Sequence, residues 1–93
     1  MAKPRNAPVT LQQLLVALHV TTVSWVRQKP AALYDALAVA VELSHALTRV
    51  DKATFKKTEF LYIVNGIYKV YPTMAPLPDS DVNDLWEYAQ EVP

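Results

Sequence analysis

The sequence predicts an all-α fold, a small four-helix domain over residues 1–93. Three observations carry that expectation. In four successive segments apolar residues recur at steps of 3 and 4, the period of one helical face. Pro30 and the proline-bounded run PTMAPLPD (72–79) fall between those segments, where helices end or begin. Thr10 and Ser80 stand at segment starts, and hydroxyl side chains there accept from free backbone amides.

Residues 1–9 read as a flexible arm, with Lys3, Pro4, Arg5 and Pro8 and no apolar period. Helix one is expected over 10–28. Thr10 and Gln13 have capping-box spacing, and Leu11, Leu15, Leu18, Thr22 and Trp25 line one face. Val16, Val20 and Val23 form a second stripe. The run HVTTVSWV is its weak point, because β-branched side chains lose rotamer freedom in a helix.

Helix two is expected over 30–49, with Leu33, Leu37, Ala40, Ser44 and Leu47 at steps of 4, 3, 4 and 3. Beside them Ala32, Ala36, Ala40 and Ser44 recur every fourth residue, a packing face that lets another helix approach closely. Val39, Leu43 and Val50 make a further apolar edge and are the expected partner interface. A helix apolar around so much of its circumference belongs in a core or an interface.

Residues 52–71 admit two readings. FLYIV-NG-IYKVY has the form of a β-hairpin at 60–71, which would make the fold α+β. Against that, Lys52, Lys56, Glu59, Tyr62, Asn65 and Lys69 form a polar stripe at helical period. Phe60, Ile63, Val64, Ile67 and Tyr71 lie opposite, so a third helix over 52–71, capped by Asp51 or Thr54, is favoured. Helix four is expected over 80–91, with Ser80 as its cap and Val82, Leu85, Trp86 and Ala89 as its buried edge.

Composition narrows function by exclusion. Without cysteine there is no disulfide, thiolate metal site or cysteine nucleophile. Nine basic and nine acidic residues balance, so net charge draws the chain to no polyanion. All nine bases lie within residues 1–69, whereas 70–93 carry only acids. Most of those acids sit at the start of the last expected helix, where its dipole favours them. MAKPRNAPVT lacks the apolar core of a signal peptide, which makes a cytoplasmic setting the expectation. The uncharged stretch from Asn6 to Val26 is broken by Gln12, Gln13, His19, Thr21, Thr22 and Ser24, against a membrane span.

No catalytic set converges. His19 and His45 are the only imidazoles. Glu42 and His45 have the Glu-x-x-His spacing of di-iron bundles, but a second such pair and two more carboxylates are lacking. No catalytic residue, metal site or cofactor is expected. Arg49, Lys52, Lys56 and Lys57, near Phe55, Phe60 and Tyr62, are the candidate nucleic-acid contacts, since bases can stack on aromatics beside a basic track. A solvated basic face is the simpler reading, and a nucleic-acid partner is not favoured. Leu18-His19-Val20-Thr21 resembles the turn of helix-turn-helix regulators, with His19 where that family has glycine.

A second resemblance spans residues 58–88. Thr58-Glu59, Tyr71-Pro72, and Val82, Leu85, Trp86 and Tyr88 are similar to the helical domain of phage replisome organisers, the helicase loaders and inhibitors. That resemblance implies helix at 58–71 and a non-catalytic partner-protein role. Here some fifty residues precede the similar part, and the long tail of that family is lacking.

The reading that joins these observations is a non-catalytic protein-interaction or assembly module, a homo-oligomer or part of a larger assembly. A phage or mobile-element accessory protein, in host cytoplasm or virion, is its natural setting. A helicase-loader role and a small nucleic-acid-binding regulator are the alternatives.

Overall fold

A computed structural model describes residues 7–28, 33–72 and 77–93, without the side chains of 33–36. The elements run β1 (Val9–Thr10), α1 (Leu11–Gln28), α2 (Leu33–Val50), β2 (Thr54–Phe55), α3 (Lys57–Val70) and α4 (Asp79–Glu91). The all-α expectation holds, with one addition: β1 and β2 pair antiparallel, Val9 opposite Phe55 and Thr10 opposite Thr54.

That ladder corrects two boundaries. Residues 7–9 are not a loose arm, since Val9 is buried and the Ala7 carbonyl accepts from Gln90 Nε2 at 2.8 Å. Residues 1–6 of the expected arm lie outside the described residues. The third helix starts at Lys57 instead of 52, because Phe55 is buried opposite Val9 in an extended segment. A β-branched Thr followed by an aromatic suits that segment.

Helix α1 begins as its sequence predicts. The Thr10 N–H donates to Gln13 Oε1 at 2.8 Å, and the Gln13 N–H donates to Thr10 Oγ1 at 3.1 Å. Each side chain thereby satisfies a backbone donor that the first turn leaves free. Gln13 Nε2 also donates to the Val92 carbonyl at 2.8 Å, tying the start of α1 to the end of α4. HVTTVSWV stays helical throughout. Its threonine hydroxyls fold back onto the helix, Thr21 onto the Ala17 carbonyl at 2.7 Å and Thr22 onto Leu18 at 2.6 Å. Burial of Thr22 thus leaves no hydroxyl without an acceptor.

Residues 60–70 form helix, not hairpin, with Asn65 and Gly66 inside α3. A two-residue Asn-Gly hairpin turn needs positive φ at both positions, and neither has it. The amphipathic pattern decides the matter: Phe60, Val64 and Ile67 are buried while Tyr62, Asn65 and Lys69 face solvent. Lys56, not Asp51 or Thr54, precedes the first turn, and its N–H donates to Glu59 Oε1 at 2.9 Å. Asp51 instead ends α2 in the left-handed region, with φ of 58°. Ser80 is likewise not a cap. Helix α4 starts at Asp79 after Pro78, whose carbonyl accepts from Asp81 and Val82 at 3.0 and 3.2 Å.

Helix α1 packs against both α2 and α4, and α3 packs on α2. One core joins them, drawn from Leu14, Leu18 and Trp25 of α1, Leu43 and Leu47 of α2, and Leu85 and Trp86 of α4, with Val9 and Phe55 at its strand end. Phe60 of α3 stacks on Trp86, ring centres 5.6 Å apart and planes 29° from parallel. Contacts of this kind add about 1 kcal/mol beyond the area they bury.

Candidate interaction surfaces

Helix α2 reveals how its apolar circumference is shared. Val39, Leu43 and Leu47 are 0–1% exposed, so they face inward within a single chain. The expected partner interface of Val39, Leu43 and Val50 is therefore wrong for its first two members. Only Val50 remains exposed. Within the expected packing face, Ala32 and the Ala36 side chain lie outside the described residues. Ala40 is half-buried against the core, and half-buried Ser44 donates its hydroxyl to the Val41 carbonyl at 2.8 Å. The physical reason is drift: steps of four advance about 40° per step around a helix of 3.6 residues per turn. Such a series starts on one face and leaves by its flank.

The basic cluster does not form a stacking track. Phe55 and Phe60 are fully buried, leaving Tyr62 alone exposed among the neighbouring aromatics. Lys52 makes an ion pair with Glu59. Arg49 is at the exposed end of α2, while Lys56 and Lys57 stand at the head of α3. The helix-turn-helix likeness fails on geometry, for Leu18-His19-Val20-Thr21 lies inside α1 with no turn. His19 and His45 are both exposed, and no cluster of three metal-ligating side chains occurs among the described residues. No helix there is long and apolar enough to cross a membrane.

Among the described residues, two apolar surfaces outside the core stand out, beside the exposed Leu37 and Val41 of α2. On α1, Val16, Val20 and Val23 are 39–41% exposed at i, i+4 and i+7, opposite the Leu14, Ala17, Leu18 and Trp25 face. The second lies where α2 meets α3. There Glu42, Ala46 and Arg49 wall a groove of about 300 Å³ with Ile63, Gly66, Ile67, Val70 and Tyr71. Ile63 also lines a separate hollow that Val50, Phe55 and Tyr62 share with the Lys52–Glu59 pair. Around the two, Tyr62 is 79% exposed and Val70 69%.

Compared with known proteins, the chain matches no family model, no curated protein and no solved structure.

Gly66 is the residue of this groove whose role the sequence conceals. A glycine inside a helix costs about 1 kcal/mol relative to alanine, and is usually explained by positive φ or a crowded neighbour. Neither applies, since Gly66 has no positive φ and a β-carbon there would meet nothing within 4 Å. What the missing side chain leaves is open floor in the groove. Asn65-Gly66 in the sequence draws attention to a turn, which masks this reading.

Proposed function

We propose that this protein is a non-catalytic helical interaction module that assembles with itself or with a larger protein complex. The observation that carries the reading is the pair of apolar surfaces left by a closed core, the valine stripe of α1 and the α2–α3 groove. Two separate surfaces on one small domain allow a subunit to hold a like neighbour and another protein at once. Tyrosine and arginine at the groove accord with this, being enriched among residues that dominate binding energy. A phage or mobile-element accessory protein in the cytoplasm or virion fits such a role. Light scattering across a concentration series tests it. A mass that climbs above the 10.4 kDa chain at high micromolar concentration is expected, and a strict monomer throughout contradicts self-association.

A second reading follows from the similarity of residues 58–88 to phage helicase loaders and inhibitors. It is favoured by the helix Lys57–Val70 and by burial of Trp86 on the next helix, both features of that domain. Co-purification with a hexameric replicative helicase is its expected outcome. Failure to retain such a helicase in a pull-down at low salt counts against it.

A further inference from the structure

The α2–α3 groove has a property that the α1 stripe lacks: an acid and a base, Glu42 and Arg49, both line it. Glu42 and Arg49 lie on one face of α2, seven residues and roughly 10 Å apart along the helix. Neither has an ion pair or hydrogen bond among the described residues. Ala46 sits between them. On α3, Ile63, Gly66 and Val70 repeat the plan, with two apolar groups flanking a residue that has no side chain. Both triplets are near-palindromes about a small residue, and both line the same groove.

Resting on the self-association reading above, we propose that this groove is the contact between two copies of the chain, related by a two-fold axis through Ala46 and Gly66. An isologous interface presents one patch to itself, so each charge must meet its opposite after rotation. Here rotation sets Glu42 of each copy against Arg49 of the other, giving two equivalent ion pairs. Ile63 of each copy meets Val70 of the other, and the absent side chain at Gly66 lets the helices close at the axis. Tyr62 and Tyr71, exposed to 79% and 41%, extend the apolar area on either side. Of about 200 Å² each, they contribute roughly 240 Å² per copy to an interface that usually needs about 800 Å². A partner of one sign of charge gains nothing from an alternating acid and base. A second copy satisfies both.

The test is a charge reversal read by sedimentation and by mixing. Glu42→Arg places two arginines against each other, and Arg49→Glu places two glutamates. Each variant should stay helical and dimerise at least tenfold more weakly than the parent. Mixed in equal amounts, they should form a heterodimer, since one copy then carries two arginines and the other two glutamates. Gly66→Leu, whose β-carbon meets nothing within 4 Å in the folded chain, should stay folded and also lose the dimer. If the parent dimerises while both charge variants keep its affinity, this groove is not the contact and self-association stands on another surface. If single variants lose the dimer but the mixture does not restore it, the two-fold pairing is overturned. A parent that is monomeric at every concentration overturns the groove contact and the self-association reading together.

Discussion

Leu43→Ala tests whether α2 turns this residue inward, and Val41→Ala on the same helix is the internal control. Leu43 is 1% exposed within the core, whereas Val41 is 50% exposed. Truncating a fully buried leucine removes its transfer free energy and leaves a cavity, for a loss of about 3 kcal/mol in a range of roughly 2–5. A domain of this size is stable by about 5–15 kcal/mol, so the variant keeps its fold with little in reserve. At about 4–8 °C per kcal/mol, the melting temperature should fall by roughly 12–24 °C. Val41→Ala should change stability by less than about 0.5 kcal/mol. Urea titration and thermal melts at several protein concentrations measure both. The Leu43 deficit should be the same at every concentration, because the contact lies within one chain. A deficit that vanishes on dilution, or a Leu43→Ala variant as stable as Val41→Ala, refutes the inward assignment.

Three further substitutions probe separate features. Gly66→Ala should stabilise the monomer by about 1 kcal/mol, through helix propensity alone, and a lower melting temperature in dilute protein would show hidden crowding at that position. Asp51→Gly relieves a left-handed backbone at the end of α2 and should gain roughly 0.5–1 kcal/mol in urea unfolding; a loss would mean that the Asp51 side chain does more than end the helix. The Tyr68 phenol is pushed above its ordinary value by burial, partly offset by the Leu77 N–H that it accepts at 2.9 Å, with the Asp79 charge adding to the rise. Its stabilising effect is therefore whole below pH about 10 and is lost as pH climbs through the raised value. Tyr68→Phe should lose stability less steeply than the parent across that alkaline window, and identical slopes would contradict the shift.

Legibility in the sequence followed the contrast between faces. Helix α4 sets Val82, Leu85, Trp86 and Ala89 against acids and amides, so its buried edge could be read directly, as could the Thr10–Gln13 cap of α1. Helix α2 offers no such contrast. Leu37 and Val41 are exposed while Val39 and Leu43 are buried, and nothing in their chemistry separates the two pairs. Only packing against α1 and α3 chooses the face. The β1–β2 ladder is two residues long with partners far apart in the chain, too short to leave a period. For the same reason the basic cluster could not be resolved, because burial of Phe55 depends on the distant Val9. The α2–α3 groove is defined by what Ala46 and Gly66 lack, which sequence periodicity cannot display.

The central claim is that one chain closes its own core and leaves the α2–α3 groove to a second copy. A dilution series of amide spectra, from about 1 mM to about 10 μM, tests it most directly, since that span brackets a weak-to-moderate dimer. Shifts should change with concentration along Glu42, Ala46, Arg49, Gly66 and Val70, and stay constant at Leu14, Leu43 and Trp86. Spectra that do not change with dilution, or changes confined to α1 about Val16, Val20 and Val23, would contradict it.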